Sequence, residues 1–134
     1  MGMRILPEVT PATASFWRSG ADGKLRILKC ADCAQFVHPP APSCPFCMAG
    51  KLSPEVVSGR AKVITFTLNH QRWSPLDDAK VPYAIAVVEL DEQKDLRLMT
   101  NIVGCAPENV RTGMTVRVTF EKADDVYLPM FEPC

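Results

Sequence analysis

The sequence carries no excess charge of either sign: 15 Lys and Arg stand against 15 Asp and Glu. Nothing in that balance draws the chain towards nucleic acid or an anionic membrane. Histidine is scarce, with His38 and His70 far apart, and aromatic residues make up only 7%. An OB-type groove for single strands needs a basic track interleaved with aromatics, and neither is visible. No stretch approaches the ~18 apolar residues of a membrane span. The start, MGMRILPEVTP, lacks the apolar run of a signal peptide, so a soluble, cytoplasmic protein is expected. There is no internal repeat, no nucleophile motif and no acid–base pair at motif spacing. Those absences count against an enzyme acting alone.

Against them stand six cysteines and twelve prolines. Four of the cysteines lie in CADCAQFVHPPAPSCPFC, as two C-x2-C pairs separated by ten residues. A C-x2-C turn presents two sulfurs to one point, and two such turns complete a closed tetrahedral shell for a divalent metal. The gap is shorter than the commonest zinc spacing, but Pro39, Pro40, Pro42 and Pro45 favour a tight, stiff return. Disulfides are the rival reading, and thiol exchange a third. With no secretory segment ahead of the thiols an oxidising compartment is not expected, and two pairs flanking prolines suit a metal knuckle better than a redox pair. Zinc is the expected metal, held by Cys30, Cys33, Cys44 and Cys47. A four-thiolate shell leaves no open coordination position, so the site is read as structural and the function is sought elsewhere.

Length fits one ordinary domain, or a small one with a metal-held module. Residues 1–23 read as a helical segment: Thr10 caps a helix with Pro11 in its first turn and Gly20 closing it in the left-handed conformation, with Phe16 and Trp17 as docking residues. Residues 24–57 form the metal module, entered by KLRILK (24–29) and left through 51–57, with Ser58-Gly59 as the hinge. Residues 58–134 then change character. Five strand-like runs follow: 63–70, 83–90, 96–104, 115–122 and 127–133. In the first, Ile64, Phe66 and Leu68 are placed on one face and Val63, Thr65 and Thr67 on the other. YAIAVVEL (83–90) reads as a strand buried on both faces. Pro129 suits an edge strand. PENVRTG supplies a helical turn between the third and fourth strands, with Pro107 at its start and Gly113 at its end. Five strands with that turn is the element order of an OB-fold barrel, chosen over a sandwich of about seven strands. The fold class is therefore mainly β.

With these parts in view, the chain resembles the zinc-ribbon plus OB-fold proteins long known as domain of unknown function thirty-five. The likeness runs from Phe16-Trp17 to the last strand. Its most specific parts are the strand start at Ser58, Gly59 and Arg60, the VPY-A-VEL segment, and the N-V-G-C-P-E-V-R-G-M series near 101–114. The resemblance implies a short helix, a rubredoxin-like zinc ribbon ligated by Cys30, Cys33, Cys44 and Cys47, and an OB barrel. It also implies an acyl-CoA-associated accessory protein that acts beside a thiolase-like or related condensing enzyme, or a hot-dog hydratase. One departure stands out: the residue after each knuckle is often glycine in such ribbons, and here it is Ala34 and Met48.

The function expected is thus that of a non-catalytic accessory or scaffold subunit of an acyl-CoA-processing enzyme. The alternative is a single-stranded nucleic-acid-binding OB protein. The loop HQRWSPLDDAKVPY (70–83) is the most functional-looking stretch. Arg72 and Lys80 are placed to meet the phosphates of CoA or acyl-CoA, and Trp73 and Tyr83 to stack on adenine or anchor a partner, with Phe16 and Trp17 as further partner contacts. For Arg72, Lys80 and the Phe16–Trp17 pair, ordinary surface or packing roles compete with these, as does a Trp73 ring tucked back on the barrel. His38 is expected to pack or hydrogen-bond near the thiolates, His70 to be a solvated strand end, Cys105 to be a small core residue and Cys134 to be inert.

Overall fold

A computed structural model describes residues 9–11, 13–70 and 81–134. Arg72, Trp73 and Lys80 lie outside the described residues.

The N-terminal helix is shorter than expected. Helix α1 is a single turn, Ala14–Trp17, followed by a 3-10 turn at Ser19–Asp22. Ahead of it Thr10 and Thr13 bond each other reciprocally, backbone N–H to hydroxyl at 2.9 and 3.2 Å. Such local bonds compete with helix propagation. The left-handed closing residue is Gly23 (φ 78°), not Gly20. Gly20 is needed for close approach instead: a Cβ there would lie 2.4 Å from Phe120 Cδ1 and 2.8 Å from Tyr127 Cβ.

Strands β1 (Arg26–Cys30), β2 (Phe36–Val37) and β3 (Leu52–Val56) form an antiparallel sheet in the order β2-β1-β3. Its β1–β2 ladder has two register pairs, Leu28 with Val37 and Lys29 with Phe36. Five strands follow: β4 (Arg60–Asn69), β5 (Tyr83–Leu90), β6 (Arg97–Ile102), β7 (Thr115–Ala123) and β8 (Val126–Pro133). They close into a barrel in the order β4-β5-β6-β8-β7, with a 3-10 turn at Pro107–Asn109 between β6 and β7. This is the architecture of an OB fold. One core runs through both parts: Leu25 and Ile27 from the ribbon and Phe16 from α1 join Val63, Val88, Leu90, Val116 and Phe131 of the barrel. Side chains buried this completely each contribute roughly 2 kcal/mol. A smaller cluster gathers around Cys30, Val37 and Cys44.

Three strand expectations are corrected. The β4–β5 register shifts between Val63 and Thr65. A bulge adds one residue and swaps the faces beyond it, so Val63 points into the core together with Phe66 and Leu68 rather than away from them. Strand β5 alternates instead of being covered on both sides: Ala84, Ala86, Val88 and Leu90 are buried, while Tyr83, Ile85 and Val87 are only half-buried. Pro129 sits in a closed barrel and is buried. Its carbonyl accepts the Thr100 hydroxyl at 2.9 Å. A strand residue's nitrogen points the same way as its carbonyl, so the missing N–H faces β6. There the ladder is reduced to one pair, Ile102 with Phe131, and proline costs no hydrogen bond.

Candidate metal centre

Both C-x2-C turns are built alike. In the first, Ala34 N–H donates to the Cys30 carbonyl (3.0 Å) and Cys30 N–H to the Gln35 carbonyl (2.9 Å). In the second, Met48 N–H donates to the Cys44 carbonyl (2.8 Å) and Cys44 N–H to the Ala49 carbonyl (2.7 Å). The residue after each turn must reverse the chain in the left-handed region. Ala34 (φ 62°) and Met48 (φ 67°) do so where such ribbons favour glycine.

The turns bring the four thiols together. Cys30 Sγ lies 3.6 Å from Cys47 Sγ, Cys33 Sγ lies 3.6 Å from Cys44 Sγ, and all four ligand atoms fall within 4.8 Å of one another. A tetrahedral zinc with Zn–S of ~2.3 Å has S–S edges of ~3.8 Å. A disulfide would need ~2.05 Å, and all six cysteines are free. The donor chemistry fits as well. Backbone N–H groups of Cys33 and Asp32 bring the Cys30 thiol down to about 7, against the opposing effect of burial. Cys33 moves the other way, up to about 12: the Gln35 N–H resists the rise, while desolvation and the neighbouring thiols carry it. Thiolates this close repel, so the set ionises fully only around a cation. Phe46 N–H adds a bond to Cys44 Sγ at 3.4 Å. Four soft donors in this arrangement fit a zinc ribbon.

His38 is not among the grouped ligands. Its ring lies 4.8 Å from that of Phe16, and burial lowers it to about 4, so it is neutral at pH 7. Phe16 is 7% exposed and also meets Trp17 edge-on at 4.8 Å. As a partner contact Phe16 is therefore corrected: its ring is committed to the core. Trp17 packs against the same core and is half-buried, as is Tyr83 at the start of β5. His70 is exposed after β4, Cys105 is half-buried against the core, and Cys134 is exposed.

Two features were not singled out in the sequence. The β5–β6 turn, DEQKD, reads there as a charged connection only, yet Glu92 and Gln93 reach back to the linker and the ribbon. The outer face of β4–β5–β6 has two adjacent rows without a charge: Thr65, Val87 and Met99, then Thr67, Ile85 and Asn101. The next row, Lys62, Glu89 and Arg97, is charged throughout. Met99 is 78% exposed. The apolar residues on both faces of YAIAVVEL were the signal for this surface.

Comparison with known proteins agrees with this architecture. Residues 17–53 match the ChsH2 rubredoxin-like zinc ribbon domain, and residues 55–121 match the ChsH2 C-terminal OB-fold domain. A probable enoyl-CoA hydratase alpha subunit of Thermomonospora curvata is 33% identical over 98% of this chain and 40% of its own length. The 3-oxo-4,17-pregnadiene-20-carboxyl-CoA hydratase alpha subunit of Mycobacterium tuberculosis is 34% identical over 95% and 39%. The chain thus spans about two fifths of these relatives. A DUF35 domain-containing scaffold protein of Methanothermobacter thermautotrophicus is 32% identical over 70% of this chain and 69% of its own. Among solved structures, the Ltp2-ChsH2(DUF35) aldolase superposes with a TM-score of 0.84 at 32% identity, covering 96% of this chain and 98% of that one. With its two C-x2-C knuckles leading into a closed five-stranded barrel, the chain belongs to the DUF35 family of zinc-ribbon and OB-fold proteins.

Proposed function

We propose that this chain is a non-catalytic accessory subunit of an acyl-CoA-processing enzyme, with a structural zinc on Cys30, Cys33, Cys44 and Cys47. The partner is a thiolase-like condensing or aldolase subunit, or a hydratase subunit. The hydratase and aldolase names of the relatives support that class, and the scaffold names support a role without chemistry of its own. The observation that carries the reading is the charge-free outer face of β4–β5–β6. An interface core is depleted of charge and ringed by polar groups, and the rows of Thr65, Val87, Met99 and Thr67, Ile85, Asn101, flanked by Lys62, Glu89 and Arg97, have that composition. Strands two and three of an OB barrel are also where oligonucleotides dock. Here they are β5 and β6, whose two central rows contain no Lys or Arg, which disfavours the nucleic-acid alternative. The stretch 70–83, which joins β4 to β5 in the sequence and carries Arg72, Trp73, Lys80 and Tyr83, is proposed to contribute further partner contacts or to meet CoA.

The test is a co-expressed thiolase-like or hydratase subunit from the same host. Met99→Asp puts a charge into the centre of the face at an exposed position, so zinc content and melting should stay unchanged. The complex should weaken at least tenfold, about 1.4 kcal/mol. Undiminished binding by both Met99→Asp and Val87→Asp would remove the face from the interface. Acyl-CoA turnover by the isolated chain would end the accessory reading.

A further inference from the structure

The six residues between β5 and β6, 91–96, do more than connect two strands. Gln93 extends its carboxamide to the ribbon: Phe36 N–H donates to Gln93 Oε1 at 2.8 Å, and Gln93 Nε2 donates to the Phe36 carbonyl at 3.0 Å. A side chain here stands in for a strand, satisfying both backbone groups of Phe36 on the edge of β2 that faces away from β1. Its neighbour Glu92 accepts the Ser58 N–H at 2.6 Å and the Ser58 hydroxyl at 3.4 Å, on the linker between ribbon and barrel. The turn is itself fixed to the barrel by Asp91 N–H to the Arg60 carbonyl (3.0 Å) and Asp95 N–H to the Glu89 carboxylate (2.7 Å).

Phe36 is no ordinary partner. It lies between Cys33 and His38, in a strand of two residues whose ladder to β1 has two pairs. Opposite it is Lys29, immediately before Cys30. A strand this short has little stability of its own. β2 is held by its short ladder to β1, by Val37 in the cluster around Cys30 and Cys44, and by Gln93 on its far side.

We propose that Gln93 couples metal occupancy of the ribbon to order in the β5–β6 turn of the barrel. The carboxamide needs both groups of Phe36 in register, and the closed thiol cluster is what sets that register. Loss of the metal frees β2, releases Gln93 and loosens the turn. Because linkage is reciprocal, loss of Gln93 must weaken metal binding by the same factor. The inference rests on a metal in the ribbon, to be tested separately by elemental analysis, and is independent of any partner.

The experiment uses the full chain and zinc itself. Gln93→Ala should fold with wild-type circular dichroism when zinc-loaded, since the side chain sits on a turn and is partly exposed. Its zinc dissociation constant, from chelator competition, should rise about 5- to 30-fold, the loss expected of two hydrogen bonds. In the wild type, chelation should raise amide exchange at residues 91–96. In Gln93→Ala the exchange of these amides should no longer respond to zinc. Gln93→Glu keeps the acceptor but loses the donor and faces a carbonyl with a carboxylate, so it should not restore affinity. Unchanged zinc affinity in Gln93→Ala overturns the proposal, and so does wild-type protection of 91–96 that ignores chelation. If Gln93→Ala fails to fold, the wild-type exchange experiment decides alone.

Discussion

Replacing Met48 by glycine should make the ribbon bind its metal more tightly. Met48 closes the second knuckle at φ 67°, with its N–H on the Cys44 carbonyl, and its side chain is 76% exposed. An L-residue in the left-handed region costs about 1–2 kcal/mol. Glycine removes that cost but gives up about 0.5–1 kcal/mol through the freedom it has when unfolded. Almost no burial is lost, so the net gain is about 0.5 kcal/mol. Ala34→Gly at the equivalent position (φ 62°) should add a similar amount, and the double variant about 1 kcal/mol, a roughly five-fold lower zinc dissociation constant. Met48→Val gives the opposite arm, because a β-branched residue tolerates this region worst, and it should lose at least as much as glycine gains. Chelator competition on the isolated chain, paired with thermal melting of the zinc-loaded form, reads all four. If Met48→Gly weakens binding while Met48→Val leaves it unchanged, the knuckle does not carry the strain described.

Cys44→Ser should reduce bound zinc, measured by elemental analysis, and raise amide exchange across 26–56, because structural zinc contributes on the order of 10 kcal/mol to such a module. His38 should give the fold an acid limb. Its folded pKa, about 4, lies below the ordinary 6.5, so the unfolded chain takes the proton first as pH falls. Its contribution is then complete above about pH 6.5 and lost on descent to about pH 4, with a ceiling of about 3 kcal/mol. Zinc release also weakens the ribbon in acid, so the comparison is with His38→Phe, which should lose less stability over that window in urea titrations; parallel curves would contradict a buried, neutral ring. Single-stranded oligonucleotides should bind only weakly at ~150 mM salt, and sub-micromolar affinity with a steep salt dependence would revive the nucleic-acid reading.

The paired cysteines and the strand runs were legible because each depends on spacing within a few residues. What the sequence concealed depends on contacts across the fold. The bulge beside Ile64 breaks the period of two, so Val63 and Phe66 share a face although an odd number of positions separates them. Gly20 looks like a helix stop from its neighbours, but Phe120 and Tyr127, a hundred residues on, dictate it. Pro129 reads as an edge residue until barrel closure places its nitrogen where β6 asks for nothing. Gln93 gave no local signal at all, since its partner is 57 residues away. Arg72, Trp73 and Lys80, the residues read as most functional, lie outside the described residues.

Barrel closure also governs what kind of contact another protein can make. In the closed barrel each strand already has a neighbour on both sides, which leaves a visitor little free edge to extend. The ribbon has two outer strands, and both are blunted. On β3 Pro54 lacks an N–H and Glu55 carries a charge, while the far side of β2 is already occupied by a glutamine. Sequence-tolerant main-chain stacking, the route to promiscuous sticking and to fibres, is thereby closed on these strands. Whatever docks on these strands must read their side chains, which makes the choice of partner a matter of shape and polarity, and keeps an oily surface such as that around Met99 from self-assembly through these edges.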